Sequence, residues 1–210
     1  MSKVSYATRL AVFVAFVFAF TAPAFAQDFG AGAKGFIDGL ARDAVAALAD
    51  KSTDQKERED KFRHLLRENF AVKDIGQFVL GRYWRAASDE QKTEYLDLFE
   101  DFIIQTYLQR FDSYSGEKLK VIGAVADDAK KDAVVSSELM RNAGQPPIRI
   151  DWRVRAPDGA FKIVDVVVEG VSMSQTQRSD FGSVIQRNGG KIDGLIQMLR
   201  DKTAAMRNAG

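Results

Sequence analysis

The spacing of apolar residues in this chain changes twice, and that change limits the architecture more than any single motif. From Phe36 to Phe111 large apolar side chains recur every three or four residues, from Leu119 to Val168 they alternate with polar or small ones, and from Phe181 to Leu199 the longer period returns. A repeat near 3.6 places side chains on one face of a helix, and a repeat of 2 places them on one face of a strand. Helices, then a meander of strands, then helices describes an α+β domain: a curved antiparallel four-stranded sheet packed against N- and C-terminal helices.

Punctuation along the chain divides these segments. Ile37, Leu40, Ala44 and Leu48 define a first helix, and Phe62, Leu65, Leu66 and Phe70 a second. A short third helix runs through Ile75, Phe78 and Val79, with Gly81 as its stop. Ser88-Asp-Glu-Gln91 reads as a capping box opening the longest helix, in which Tyr95, Leu96, Phe99, Phe102, Ile103, Tyr107 and Phe111 form a sector too wide for one core-facing stripe. Strands follow around Leu119–Val125 and Val134–Met140, then one with Ile148, Ile150, Trp152 and Val154 on one face and Arg149, Asp151, Arg153 and Arg155 on the other. The fourth strand lies in Ile163-Val-Asp-Val-Val-Val-Glu-Gly-Val-Ser-Met173. Strict alternation there puts Val164, Val166 and Val168 on one face and Ile163, Asp165, Val167 and Glu169 on the other. Asn188-Gly189-Gly190 separates two closing helices, around Phe181 and Ile185 and around Leu195 and Leu199.

The N-terminus bears on the compartment. Lys3 and Arg9, the apolar run Leu10–Phe20 and the small residues of Ala24-Phe25-Ala26 have the pattern of a cleaved export signal, so residues 1–26 are expected to leave and residues 27–210 to form a single domain in the periplasm. The apolar run is shorter than the roughly 20 residues a spanning helix needs. The remaining chain carries 28 basic against 29 acidic residues and no Cys. So even a balance gives no field that favours nucleic acid, and the domain is expected to do without disulfides.

Signatures of catalysis are sparse. His64 is the only histidine and sits in a charged helical run; without Cys there is no zinc set and no Cys/His pair. Gly170-Val-Ser-Met-Ser174 departs from the G-x-S-x-G elbow at its last position, and neither a phosphate loop nor a dinucleotide fingerprint occurs. No metal or cofactor is expected. Asp165, set between valines, fits two roles: a buried general base of a small enzyme, or a carboxylate paired across the hairpin with Arg153 or Arg155. The apolar residues also leave two readings open. Ile150, Trp152, Val154, Val164, Val166 and Val168 on the sheet, facing Phe78, Phe99, Phe102, Ile103 and Phe181 on helices, can fill a core or line a cavity whose wall a ligand completes.

Two stretches carry a family resemblance. Val79-Leu-Gly-Arg-Tyr-Trp-Arg-Ala-Ala-Ser-Asp-Glu-Gln91, continuing to Phe99, Phe102, Thr106-Tyr107 and Tyr114-Ser-Gly-Glu117, is the first. Phe161-Lys-Ile-Val-Asp-Val-Val-Val-Glu-Gly-Val-Ser-Met173, followed by Arg178-Ser-x-Phe181 and Gly189-Gly190-x-x-Asp193-Gly-Leu195, is the second. In this order and spacing they resemble the periplasmic lipid-binding proteins of the toluene-tolerance, or Mla phospholipid-transport, type. The resemblance implies a cone like that of the NTF2-like proteins and a soluble carrier with acyl chains held between sheet and helices. It also implies two docking partners, an inner-membrane ABC transporter complex with an MCE-domain protein and an outer-membrane lipoprotein associated with a porin. Trp84, Tyr107, Asp165, Gly170, Ser172 and Phe181 match family positions, and Val171 and Met173 would border the cavity mouth. Phe161, Val164 and Thr176-Gln177 stand where the family often has aromatic residues, which leaves a hopanoid or other polycyclic lipid as an alternative to phospholipid.

Overall fold

The computed structural model describes residues 29–49, 52–112, 114–142 and 144–209; the expected leader, residues 1–26, lies outside them. Four helices come first: α1 (Phe29–Leu48), α2 (Gln55–Asn69), α3 (Val72–Leu80) and, after a 3-10 turn at Gly81–Arg85, α4 (Asp89–Asp112). The strands β1 (Lys118–Asp127), β2 (Asp132–Met140), β3 (Ile148–Arg155), β4 (Lys162–Val168) and β5 (Val171–Ser172) form one antiparallel sheet in sequence order. Helices α5 (Met173–Arg187) and α6 (Asp193–Ala209) close the fold. No described helix is long and apolar enough to cross a membrane.

The sheet has five strands where four were expected. The extra two-residue strand arises because Glu169 and Gly170 both take positive φ, 50° and 79°, as a two-residue hairpin loop requires, and turn Val171 back onto Val168. The capping box forms as read: the Ser88 amide donates to Gln91 Oε1 at 3.0 Å and the Gln91 amide to Ser88 Oγ at 3.2 Å.

Helix α1 starts seven residues earlier than its periodicity suggests and runs through Gly30, Gly32, Gly35 and Gly39. Glycine in a helix interior costs about 1 kcal/mol relative to alanine, so packing must hold this segment. At Gly32 the reason is visible: a Cβ there would stand 2.8 Å from the ring of Phe161. That ring meets Phe29 and Phe36 at 5.1 and 5.6 Å, which seats α1 on the sheet.

Two apolar cores result. One joins α1 to the sheet through Phe29, Ala33, Ile37, Ala133, Val135, Val154 and Ile163. The other lies among helices, where Tyr95 and Phe99 of α4, Phe181 and Ile185 of α5 and Leu195 and Leu199 of α6 meet Val79 and Leu80 of α3. Tyr95 donates its hydroxyl to the Gly76 carbonyl at 2.9 Å, and its burial pushes the phenol up from its usual range. Helix α4 is buried on more than one side, as its wide apolar sector implied: Ile104 and Leu108 are buried on the opposite side of the helix from Tyr95 and Phe99.

Charges clamp that outer side. Arg63 of α2 reaches Glu59 at 2.8 Å, Glu100 at 2.7 Å and Asp101 at 2.8 Å, and Arg207 of α6 reaches Asp101 at 2.9 Å. Burial works against the Arg63 charge, but its bonds to Glu100, Asp101 and Glu59 outweigh it and hold the guanidinium above its usual range.

Candidate functional site

The strands do not keep the strict alternation of their sequence. Arg153 pairs with Asp165, but Val154 pairs with Ile163, so Val164 is the extra residue of a β-bulge. The slip moves Ile163 onto the face of Val154, Trp152, Val166, Val168 and Ile150, and removes Val164 from that row. This corrects the expectation of Val164, Val166 and Val168 as one wall: a single bulged residue exchanges the faces on its two sides.

The apolar face so assembled is covered unevenly. At the end carrying Ala133, Val135, Val154 and Ile163 it is buried under α1. Toward the other end Ile150, Trp152, Val166 and Val168 are only half-buried, although they continue the same face. Trp152 is held there by a relay in which its indole N–H donates to Ser137 Oγ at 2.9 Å and the Ser137 hydroxyl donates to the Ile150 carbonyl at 3.0 Å.

Helix α4 leads into the edge of the sheet at this open end through a short connection. It ends at Asp112 and β1 begins at Lys118, opposite Met140, with Leu139 opposite Ile148 and Ile150 opposite Val168. The short connection ties the last turns of α4 to that edge of the sheet, and the Asn142 side chain fastens it by donating to the Ser115 carbonyl at 2.9 Å. There Phe102, Ile103, Thr106 and Tyr107 are half-buried, whereas Tyr95 and Phe99 earlier on the helix are fully packed. Helices α2, α3 and α5 each contact both β4 and the helical layer, while α4 makes no comparable approach to any strand. Half-buried apolar residues thus occur at the margin of each core: Ile150, Trp152, Val166 and Val168 on the sheet, where Trp152 and Val166 pack against the core under α1, and Phe102, Ile103 and Tyr107 on α4, where Phe102 and Ile103 pack against the helical core.

Other residues named from the sequence lie elsewhere. Phe99 and Phe181, each 2% exposed, interlock edge to face at 6.2 Å in the helical core, and Val154, 1% exposed, belongs to the core under α1. Phe78 is 43% exposed on α3, beneath the Arg178 guanidinium at 4.9 Å. Trp84 edges the helical core beside Lys92, which lies 5.7 Å from its ring. Val171 is 53% exposed and Met173 half-buried at the start of α5. Periodicity assigns faces and not depth, so it gave these packed or outward residues the same standing as the half-buried ones of the sheet and α4.

Asp165 is engaged structurally. It is 7% exposed and accepts from Ser172 Oγ at 2.7 Å, Ser174 Oγ at 2.7 Å and the Ser174 amide at 3.1 Å, with Arg153 at 3.8 Å across the hairpin. Ser172 in turn caps α5 by accepting from the Gln175 amide at 3.1 Å. The carboxylate thus pins the first turn of α5 to β4 through the two serines; of its two expected arginine partners Arg153 stands at the outer limit of an ion pair and Arg155 pairs with Asp132 instead. His64 is exposed, and among the described residues no group of three or more His, Asp or Glu is placed to hold a metal ion.

An antiparallel sheet packed against helices defines an α+β class with a solved counterpart. The fold matches that of a phospholipid-binding protein from Ralstonia solanacearum, solved in complex with a phospholipid, with TM-score 0.71 at 23% identity over 83% of this chain and 98% of that one. The chain belongs to the MlaC family, whose model, described as MlaC protein, matches residues 38–201. It is 26% identical over 131 residues to the intermembrane phospholipid transport system binding protein MlaC of Haemophilus influenzae, covering 61% of this chain and 60% of that protein. It is likewise 26% identical over 128 residues to the toluene tolerance protein ttg2D of Pseudomonas putida, covering 61% and 59%. The matched stretch thus spans about three fifths of the length of these curated relatives.

Proposed function

We propose that this protein is a periplasmic carrier that holds the acyl chains of a phospholipid in the seam between the sheet and α4 and passes the lipid between membrane-bound partners. The observation that carries the reading is the half-buried stretch of the apolar sheet face at Ile150, Trp152, Val166 and Val168, together with the half-buried apolar residues Phe102, Ile103 and Tyr107 of α4. Membership in the MlaC family and the phospholipid-transport name of the Haemophilus relative support it. The energetics fit a carrier. Each methylene kept from water contributes about 0.8 kcal/mol, so one chain of about fifteen is worth roughly 12 kcal/mol before ordering costs. Release into solvent is then slow, and unloading requires a partner that opens the seam. An inner-membrane ABC transporter complex with an MCE-domain protein and an outer-membrane lipoprotein with its porin are the partners this reading assigns.

The test is native mass spectrometry of the protein purified from periplasm without detergent, followed by extraction of the bound lipid. Stoichiometric phospholipid is expected; a hopanoid mass would assign the seam to a polycyclic lipid, and a protein that is always unliganded would refute carriage.

The role of Asp165 separates a carrier from an enzyme. Asp165→Asn retains the shape but loses charge-assisted bonds to two serines, so stability should fall by about 1–2 kcal/mol, read as a lower melting temperature. Lipid content should stay within about twofold of wild type. Loss of lipid turnover at full lipid occupancy would instead make Asp165 a catalytic base.

A further inference from the structure

Two arginines of this chain rest on aromatic rings and not on carboxylates. The Arg178 guanidinium of α5 lies 4.9 Å from the centre of the Phe78 ring and donates to the Phe78 carbonyl of α3 at 3.3 Å. The Arg82 guanidinium lies 4.9 Å from the centre of the neighbouring Tyr83 ring and donates to the Tyr83 hydroxyl at 2.9 Å. Gly81 joins the two, because the Arg178 guanidinium stands 3.0–3.1 Å from where a Cβ on Gly81 would be. Arg82 also holds the Tyr83 phenol below its usual range, and Gln186 of α5 adds to that effect.

Arg63, Arg149, Arg155, Arg200 and Arg207 each sit on a carboxylate, whereas among the described residues neither Arg82 nor Arg178 has one within ion-pair distance. Both are exposed, as is Phe78. Stacking on a ring orients a guanidinium in advance and leaves N–H edges that match phosphate oxygens directed to solvent. The surrounding charge has one sign: residues 72–85 and α5, packed together, carry five basic against two acidic residues, whereas α4 carries seven acidic against two basic. A nearly neutral chain thus presents one cationic face with aromatic rings set in it. An anionic phospholipid surface complements both features, since it offers phosphates to the guanidiniums and an interfacial layer that accepts Tyr and Phe rings. It is favoured over an acidic protein because a phospholipid carrier draws its cargo from such a surface and returns it there.

We propose that the face formed by Phe78, Arg82, Tyr83 and Arg178 docks the protein reversibly onto the anionic surface of a phospholipid membrane, with the two guanidiniums on lipid phosphates. This rests on the carrier reading above and adds the surface by which the carrier meets a membrane.

The experiment measures co-sedimentation with vesicles of mixed phosphatidylethanolamine and phosphatidylglycerol, and with vesicles of phosphatidylcholine. Wild type should bind the anionic vesicles at low ionic strength, release them in high salt and ignore the neutral ones. Arg82→Gln and Arg178→Gln should each weaken binding about fivefold, and together about twenty-fold. Arg42→Gln, at an exposed site on α1, should leave it within about twofold. Lipid co-purified with each variant, read by native mass spectrometry, should match wild type. Arg82 lies on an exposed 3-10 turn, so Arg82→Gln alone decides the matter if Arg178→Gln lowers the melting temperature. Lipid-loaded wild type that ignores anionic vesicles, equal binding to both kinds, full binding by the double variant, or equal loss from Arg42→Gln would overturn the proposal. Retention on immobilised poly-glutamate without vesicle binding would also overturn it, in favour of an acidic protein. Wild type never found with lipid would instead overturn the carrier reading.

Discussion

Replacing Arg63 with methionine is expected to destabilise the protein by about 3 kcal/mol, the larger of two folding effects anticipated here. Among the described residues Arg63 is the cation that contacts Glu59, Glu100 and Asp101 together; Arg207 reaches only Glu59, at 3.6 Å, and Asp101, and Arg67 reaches Glu100 at 2.9 Å. The Glu59, Glu100 and Asp101 side chains are 12–23% exposed, so water replaces the lost guanidinium poorly. Methionine keeps much of the packing volume, which confines the change to charge. Adding Glu100→Gln should recover part of the loss, because Glu100 is the least exposed of the three carboxylates and then keeps only the exposed Arg67 as a partner. Denaturant unfolding of the two single variants and the double variant measures this coupling; additive effects would mean that the clamp between α2 and α4 contributes nothing as a unit.

The second large effect concerns function. Val166→Trp places an indole in the seam from a half-buried position directly opposite Trp152. The seam can admit the ring where a closed core could not, so the fold should survive with a melting temperature within a few degrees of wild type. The ring would occupy space that acyl chains need, and co-purified phospholipid should fall at least about tenfold. A folded variant with wild-type lipid content would show that the chains lie elsewhere, and an unfolded one that Val166 faces a closed core.

How much of this was legible in the sequence depends on which interactions decide each feature. Element order and type followed from periodicity, because helix and strand differ in a local repeat, and the capping box at Ser88 and Gln91 formed as written. The start of α1 was hidden behind glycines whose helical state depends on Phe161, more than a hundred residues away. The face assignment in β4 was correct for Val166 and Val168 and failed at Val164, since a bulge is settled by pairing with β3 and leaves no mark in the alternation. Depth was the least legible property: Phe99 and Ile103 read alike as members of one apolar sector, yet the first is sealed by Phe181 and the second is a half-buried residue at the margin of the helical core.

The location of the acyl chains is tested most directly by loading the protein with a phospholipid bearing a photoreactive group on one chain and mapping the cross-linked residues. Cross-links at Ile103, Thr106, Tyr107, Trp152, Val166 and Val168 are the expected result. Cross-links confined to the opposite face of the sheet, where Val125 and Val134 are exposed, would contradict carriage within the seam.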